Sequence, residues 1–310
     1  MKQRAAIGHL AAAGTYIIFG VNIVFCRDIT TESGVAPIVL FAMRAFFSGI
    51  LFWLLSLVMP RERVERKDLL KLFGAAVIGI FLPQLTFLNA IARTTPVDLS
   101  IITTITPILT MFFAALFLRE PITWKKAGGV LLSFVGVVWV ILQSDAHGGG
   151  ALATTPLGIV YCVLNCTFFA LYLGTCRPLM KRYSVVTSMK WIFLFSFLLS
   201  VPFTLRPLTA TDFGAVSGEL WWKIAFLIFF ATFVAYFLLP VGQAHIRPTL
   251  VSMYGYLQPI IAIAIAIVTG GDQLTWTKLV AALLVFVGVW VVSTSKKAEN
   301  QKEESPIRME

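Results

Sequence analysis

Long apolar stretches alternate with short polar links along almost the whole chain. A helix that crosses a membrane needs about 20 apolar residues, because each residue rises about 1.5 Å through a hydrocarbon core about 30 Å thick. Ten stretches approach or exceed that length: residues 5–26, 35–58, 70–91, 96–118, 126–142, 156–176, 185–203, 220–242, 248–269 and 278–293. The pattern therefore predicts an all-α integral membrane protein with ten transmembrane helices.

Composition favours a lipid environment over an aqueous one. Of the 310 residues, 58% are hydrophobic and only 13% are charged, whereas about 25% charged residues is usual for a soluble protein. The net charge of +10 does not indicate a nucleic-acid partner, because Lys and Arg lie mostly in short loop clusters without a basic face interleaved with aromatic residues. We expect the lipid bilayer and a small-molecule substrate as partners of a monomer or a weakly associated homodimer.

The loop charges predict how the helices are oriented. With ten spans both termini lie on one side, and the loops of that side carry 18 Lys and Arg residues against five on the other side. Positive charge accumulates on the cytoplasmic side of a membrane, so both termini are predicted to be cytoplasmic. The tail, residues 295–310, is polar and of mixed charge, and we expect it to be disordered.

The chain also repeats itself at a displacement of 152 positions. The matches are Pro96 with Pro248, Pro107 with Pro259, Thr123-Trp124 with Thr275-Trp276, Lys126 with Lys278, and Phe134-Val135-Gly136-Val137 with Phe286-Val287-Gly288-Val289. Prolines and a Thr-Trp pair in one register are harder to obtain by chance than matching apolar residues. We therefore predict a first five-helix repeat (1–143), a Gly-rich linker (144–155) and a second five-helix repeat (156–294).

An odd number of spans in each repeat predicts that the second repeat lies upside down in the membrane. The charges agree, because Arg119 and Lys125 of the first repeat correspond to Gly271 and Thr277 in the second. Inverted repeats are typical of secondary transporters, which bind substrate at the repeat interface near the middle of the membrane. The sequence therefore favours a transporter.

One stretch adds a family resemblance. It begins at Pro107, continues through Leu118-Arg119-Glu120-Pro121-Ile122-Thr123-Trp124, and reaches Gly128-Gly129 and Gly136. Together with the ten predicted helices and their five-plus-five inversion, it resembles the EamA branch of the drug/metabolite transporter superfamily. The resemblance implies a carrier in a bacterial-type inner (plasma) membrane, often an exporter of amino acids or other metabolites.

Arg44 is the most informative candidate for substrate binding. It lies about nine residues inside the second predicted span, roughly 13 Å deep, where a lone Arg costs about 2.5–3.5 kcal/mol on insertion scales. It could recognise a carboxylate or phosphate through two parallel hydrogen bonds, or it could be a structural residue paired with helix-end carbonyls. Met43-Arg44 is similar to Met189-Lys190, which makes Lys190 a second candidate unless its side chain extends to the cytoplasmic surface.

Polar side chains inside the other spans complete the predicted central cavity. The candidates are Asn22, Gln84, Thr103, Asn165, Tyr172, Tyr254, Tyr256 and Gln258. Hydroxyls before Pro107 and Pro259 could instead satisfy the carbonyls that proline frees, and single polar residues could serve as hydrogen bonds between helices. An aromatic pocket could be lined by Phe25, Phe41, Phe168, Trp191 and Phe237.

These residues predict no cofactor, no metal site and no enzymatic activity. The sequence has no phosphate-binding glycine loop, metal-ligand spacing or nucleophile motif, and no Asp or Glu lies in the middle of a predicted span. The leading hypothesis is an alternating-access carrier that exports amino acids or similar small polar metabolites. An exchanger of phosphorylated metabolites or nucleotide-sugars is the alternative within transport, and a membrane scaffold or sensor that transports nothing is the alternative outside it.

Overall fold

The computed structural model describes residues 2–119 and 154–268 without a gap, together with scattered residues between 122 and 139 and between 276 and 291. All secondary structure among these residues is helical. Within that part of the chain, seven helices are long and apolar enough to cross a membrane. The protein is therefore an all-α, multi-pass membrane protein, as the apolar pattern predicts.

The two continuous described ranges form nine helices and one further short 3-10 turn, Phe213–Ala215. The helices are α1 Lys2–Glu32, α2 Pro37–Val58, α3 Arg66–Ile91, α4 96–118, α5 Pro156–Thr175, α6 Arg177–Arg182, α7 Val185–Ala210, α8 Gly218–His245 and α9 248–268. Helices α1 to α4 belong to the first half of the chain, and α5 to α9 belong to the second half. The apolar pattern does not predict α6, because three of its six residues are basic.

Eight of these helices overlap predicted spans, but the first and the seventh span run further than predicted. α1 ends at Glu32 rather than at residue 26, and the hydroxyls of Thr30 and Thr31 donate to carbonyls of the preceding turn. α7 ends at Ala210 rather than at residue 203, and the Thr204 hydroxyl donates to a carbonyl one turn back. The connection between α7 and α8 is therefore shorter than the interval 204–219 between the predicted spans. Hydropathy misses these helix ends because they are polar.

Parts of the predicted organisation lie wholly or mostly outside the described residues. These parts are the fifth and tenth spans (126–142 and 278–293), most of the Gly-rich linker (144–155) and the tail (295–310).

Helices of both halves depart from regular α geometry at matching places. α3 contains a π-helical turn at Val77–Phe81, and α8 contains one at Phe229–Val234. The two turns start 152 positions apart. α4 contains a 3-10 turn at Thr103–Ile105, and α9 contains one at Tyr254–Tyr256. The 3-10 turns start 151 positions apart, so the displacement found in the sequence relates these distortions of the backbone to within one residue.

Serine contacts between the halves recur in the same way. Ser48 Oγ donates to the Ile228 carbonyl at 2.9 Å, and Ser196 Oγ donates to the Ala76 carbonyl at 3.4 Å. Both carbonyls immediately precede a π turn, where the altered backbone pattern leaves acceptors for a neighbouring helix. The carbonyls are 152 positions apart and the serines are 148 apart, so corresponding positions of α2 and α7 differ by 148.

Arginines hold the ends of α3 and α8. Arg27 donates to the carbonyls of Ile91 and Thr94 at 2.6 and 2.7 Å. Arg177, which lies 150 positions later, donates through Nε to the carbonyl of Gln243 at 3.1 Å. The last carbonyls of a helix lack internal partners and carry partial negative charge. Each arginine therefore anchors a long helix of its own half.

The two halves interleave instead of forming separate bundles. α2 packs mainly on α7, α1 packs on α8 and α9, and α5 packs on α3 and α4. Most of the extensive packing therefore joins a helix of one half to a helix of the other. The middle of the bundle is consequently surrounded by both halves.

Candidate functional site

A cavity lies where mid-helix residues of both halves meet. It contains about 570 Å³ of space between atoms, its open mouth included. Its wall consists of Tyr16, Phe19, Asn22, Pro83, Gln84, Phe87, Thr103, Thr106, Asn165, Phe169, Tyr236, Gly255 and Gln258. These residues come from α1, α3, α4, α5, α8 and α9.

The cavity wall combines neutral polar groups with aromatic rings. Amides come from Asn22, Gln84, Asn165 and Gln258, hydroxyls from Tyr16, Thr103, Thr106 and Tyr236, and phenyl rings from Phe19, Phe87 and Phe169. None of these wall residues is charged. Such a wall suits a solute that has both hydrogen-bonding groups and an apolar or aromatic body.

Two hydrogen bonds between side chains of the wall join the first half to the second. Gln84 Nε2 donates to the Tyr236 hydroxyl at 3.0 Å, and these two residues are 152 positions apart. The Thr103 hydroxyl donates to Gln258 Oε1 at 3.3 Å. Any movement of one half against the other at the level of the cavity must change these two bonds.

Two polar atoms of the wall lack a hydrogen-bond partner among the described residues. They are Gln84 Oε1 and the Tyr16 hydroxyl oxygen, and both are buried. An unpaired buried polar atom costs about 1–3 kcal/mol, and native proteins keep few of them. Because both residues belong to the cavity wall, these atoms are candidates for contact with a solute.

Half of the site residues predicted from the sequence lie in this wall. These five are Asn22, Gln84, Thr103, Asn165 and Gln258. Asn165 Nδ2 also donates to the Pro83 carbonyl at 2.8 Å, so this amide contributes to helix packing as well. The other five, Arg44, Tyr172, Lys190, Tyr254 and Tyr256, lie outside the wall.

The three tyrosines outside the wall have other surroundings. Tyr172 packs on the π turn of α3, where a Cβ added to Gly79 would lie 2.4 Å from the tyrosine ring. The Tyr254 hydroxyl lies 2.8 Å from Nδ1 of His9, and Tyr256 is buried. A helix that is apolar on every side does not indicate which way its tyrosines face, so the sequence could not orient these three.

The sequence reasoning misses the aromatic part of the wall. None of the five aromatic residues that it proposes lines the cavity, whereas Phe19, Phe87, Phe169 and Tyr236 do. Phe168 and Phe237 each lie one residue from a wall residue, and one residue turns a helix by about 100°. The repeat held a usable signal, because Tyr236 lies 152 positions after Gln84.

Arg44 is buried beside the cavity, with only 1% of its surface exposed. Its Nε donates to the Thr232 hydroxyl at 2.8 Å, and its Nη1 lies 3.6 Å from Cys26 Sγ. The Thr232 hydroxyl in turn donates to the Leu227 carbonyl at 2.7 Å. Nη2 has no hydrogen-bond partner in the described part of the chain. The guanidinium is therefore not paired with helix-end carbonyls, as a purely structural arginine would be.

Lys190 does not correspond to Arg44 in the structure. The similarity of their sequence contexts implies a displacement of 146, whereas the serine contacts give 148 for α2 and α7. The counterpart of Arg44 is therefore Ile192. Lys190 Nζ instead lies 5.0 Å from the centre of the Trp53 ring, a cation–π contact.

The counterpart of the Arg44–Thr232 contact is apolar. The displacements of 148 and 152 match Arg44 with Ile192 and Thr232 with Ile80. Both isoleucines are buried. The same place in the fold is therefore filled by a polar pair in one instance and by a hydrocarbon pair in the other.

An ionic cluster joins the two halves at the end of the bundle that is predicted to be cytoplasmic. Asp68 is buried and contacts Lys71 and Arg182, each at 2.8 Å, and the Tyr183 hydroxyl at 2.7 Å. Arg182 also pairs with Glu65 at 2.5 Å. Since Asp68 belongs to α3 and Arg182 to α6, the cluster ties the first half to the second.

Glu62 adds a further link at the same end. Ser184, which caps α7, donates to Glu62 through its backbone N–H at 3.0 Å and its hydroxyl at 2.9 Å. Burial by itself would raise the pKa of Glu62, but hydrogen bonds from Ser184 and Thr187 hold this pKa below its ordinary value. Glu62 therefore stays ionised at neutral pH.

A single lysine makes the ionic link at the opposite end. Lys223 Nζ contacts Asp28 at 2.7 Å and Glu219 at 2.8 Å. Asp28 belongs to α1 and Lys223 to α8, so this link also joins the two halves. Both ends of the bundle thus carry ion pairs that must break or shift if the halves move apart there.

Comparison with known proteins identifies a family whose model matches the chain twice. The model of a family described as "EamA-like transporter family" matches residues 6–142 and, a second time, residues 156–294. The two matches fall on the two halves of the chain. Together they cover most of its length.

Curated relatives are distant but span most of the chain. The uncharacterized transporter YetK of Bacillus subtilis is 23% identical over 96% of this chain and 89% of its own length. The aromatic amino acid exporter YddG of Salmonella typhimurium is 24% identical over 64% of this chain and 67% of its own length. A crystal structure of a protein that is 17% identical covers 90% of this chain and 98% of its own chain with a TM-score of 0.69, which shows a shared fold.

Proposed function

This chain belongs to the EamA-like transporter family, and from that premise we propose that it is an alternating-access carrier. In such a carrier, two bundles move against each other and open a central site to one side of the membrane at a time. The proposal rests on the central cavity, whose wall is shared by both halves and crossed by the Gln84–Tyr236 hydrogen bond. A wall built in this way changes shape whenever the halves move.

The proposal includes an architecture of ten helices in two inverted repeats, 1–143 and 156–294, with both termini in the cytoplasm of a bacterial-type inner membrane. The family model matches each half once, and the π turns recur 152 positions apart, which supports the duplication. Reporters fused after Arg119 and after Gly271 test the inversion. Signals from opposite sides of the membrane are expected, and signals from one side would contradict it.

The proposed substrates are amino acids or similar small polar metabolites, which the carrier exports. Neutral amides and hydroxyls suit a zwitterion whose charges cancel, and the phenyl rings of the wall suit an apolar or aromatic side chain. The name of one relative, an aromatic amino acid exporter, supports the same class. An exchanger of phosphorylated compounds is less well supported, because none of the described wall residues is a cation, and a scaffold would not require the cavity.

Purified protein reconstituted in vesicles tests the proposal. We expect labelled amino acids with apolar or aromatic side chains to leave loaded vesicles faster than labelled sugar phosphates do. Gln84→Leu should slow this efflux because it removes a wall amide, whereas Leu198→Ala should not, because Leu198 is exposed on the outside of the bundle. Efflux of sugar phosphates alone would favour the exchanger, and no efflux of any compound would favour the scaffold.

A further inference from the structure

The positive charge of Arg44 has no anionic partner in its surroundings. No described Asp or Glu forms an ion pair with it, and Nη2 has no hydrogen-bond partner in the same part of the chain. Its two contacts are the Thr232 hydroxyl and the Cys26 thiol, and a thiol is only a weak acceptor. The guanidinium therefore has donor capacity in reserve on its two terminal nitrogens.

Packing does not require a charge at this place. The corresponding positions of the fold are the buried residues Ile192 and Ile80. A buried charged group can generally be replaced by well-packed hydrocarbon without loss of stability, and here the chain itself contains that replacement. The arginine is therefore better explained by a ligand than by the fold.

Two residues of the cavity wall connect Arg44 to the cavity. The Cys26 thiol, which contacts Arg44 Nη1, donates to Asn22 Oδ1 at 3.5 Å. Tyr236 lies four residues after Thr232, the hydroxyl partner of Arg44, on α8. Its hydroxyl accepts the Gln84 hydrogen bond that links the halves. These side chains therefore link the arginine to the cavity wall.

We propose that Arg44 binds a carboxylate group of the transported solute once Asn22 and Tyr236 move aside. The inference rests on the proposed function and adds a substrate class to it, namely solutes with a free carboxylate. Nη1 and Nη2 of a guanidinium are parallel donors that match the two oxygens of a carboxylate. The neutral cavity then holds the rest of the solute, and Gln84 Oε1 and the Tyr16 oxygen accept from its ammonium group.

The first experiment compares phenylalanine with its carboxamide as unlabelled competitors of labelled phenylalanine efflux from vesicles. In the unaltered protein the acid should compete about tenfold or more better than the amide, as expected for a charge-assisted paired contact. Arg44→Gln should abolish this preference. Lys190→Gln, which removes a half-buried cation of the second half, should keep it.

The outcomes separate the two proposals. An acid preference that survives in Arg44→Gln overturns the role of Arg44 and leaves the carrier in place. Absence of phenylalanine efflux from the unaltered protein counts against the proposed substrates instead. The role of Arg44 is then decided by the binding experiment that follows, which needs no transport.

The second experiment uses the thiol beside Arg44. In a variant that keeps only Cys26 (Cys162→Ala, Cys166→Ala, Cys176→Ala), a small methanethiosulfonate reagent should react more slowly when phenylalanine is present. Phenylalaninamide should give no such protection. A variant that keeps only Cys176, the buried counterpart 150 positions later, is the control. Its reaction with the reagent should be equally fast in the presence of phenylalanine and of phenylalaninamide. Equal protection of Cys26 by acid and amide, or none by the acid, overturns the proposal.

Discussion

Gly8 and Gly158 lie at corresponding places in the two halves of the chain, 150 positions apart. A Cβ added to Gly8 would lie 2.8 Å from His245 Cβ, and one added to Gly158 would lie 2.7 Å from the Arg93 carbonyl oxygen. His245 and Arg93 are themselves 152 positions apart, and each belongs to the opposite half from the glycine that it meets. The arginine caps and the serine contacts repeat in the same manner. Helix ends and crossings are therefore built alike in both halves.

The middle of the molecule is built differently in the two halves. Gln84 corresponds to Tyr236, and the two contact each other directly. Arg44 corresponds to Ile192, which is fully buried in hydrocarbon surroundings. Close backbone approach leaves little choice of residue at a crossing, whereas side chains around a cavity can differ without disturbing the helices. The differences between the halves therefore point to the residues that serve a solute.

The largest expected effect comes from replacing the polar pair, Arg44 and Thr232, by the isoleucines that occupy the corresponding positions of the other half. In Arg44→Ile/Thr232→Ile, efflux of carboxylate-bearing solutes should fall by about a hundredfold or more, since the carboxylate loses the guanidinium proposed to bind it. Stability should stay unchanged or rise by about 1–4 kcal/mol, because hydrocarbon replaces an unpaired buried charge. Vesicle efflux and thermal unfolding in detergent measure the two effects.

The reverse exchange is the matched control. Ile192→Arg/Ile80→Thr introduces the polar pair into the hydrophobic core, so it should lower stability by burying a second unpaired charge, and it should not raise efflux. A double isoleucine variant that fails to reach the membrane, while the unaltered protein does, would show that Arg44 serves the fold.

The glycine pair offers the next largest effect, this time on stability. Gly8→Ala and Gly158→Ala should each cost about 1–3 kcal/mol, because the added methyl group forces packed helices apart. The two costs should be similar, because the backbone fixes the position of His245 Cβ as firmly as that of the Arg93 carbonyl oxygen. Gly74→Ala is the control, because nothing lies within 4 Å of its added Cβ. Equal melting temperatures for all three variants would contradict the close approach.

The sequence alone was enough for the class of fold and for most helix positions. Bilayer thickness fixes the length of an apolar stretch, and the repeated prolines and Thr-Trp pairs mark the duplication independently of apolar composition. The predicted ends of the first and seventh spans were wrong, because polar helical turns such as Thr30 to Glu32 have the composition of a loop.

The candidate site was only half predictable, for a different reason. Asn22, Gln84 and Gln258 stand out because polar amides are rare in apolar helices. Phenylalanine gives no such contrast, so Phe168 could not be distinguished from Phe169 without the helix rotation that packing decides. Likewise, its position deep inside a predicted span made Arg44 a candidate. Only its contacts show that it lies behind the cavity wall instead of in it.

A smaller effect is expected where the two halves meet at Gln84 and Tyr236. Gln84→Leu and Tyr236→Phe each remove one partner of the hydrogen bond, and the double variant removes both. A neutral hydrogen bond of this kind contributes about 0.5–1.5 kcal/mol. The losses of unfolding free energy in the two single variants should therefore not add up to the loss in the double variant. Strictly additive values would show that the two residues do not interact in the membrane.

The smallest effect concerns the link between Glu62 and Ser184. Hydrogen bonds from Ser184 lower the pKa of Glu62 in the folded protein. Its contribution to stability is therefore present above the ordinary pKa of 4.5 and is lost as the pH falls through the lower folded value. Because Glu62 is partly exposed, the contribution should be a few tenths of a kcal/mol. Unfolding of the unaltered protein and of Glu62→Gln should differ at pH 7 and converge well below pH 4.5, and a difference that persists in acid would mean that the carboxylate charge has no part in the link.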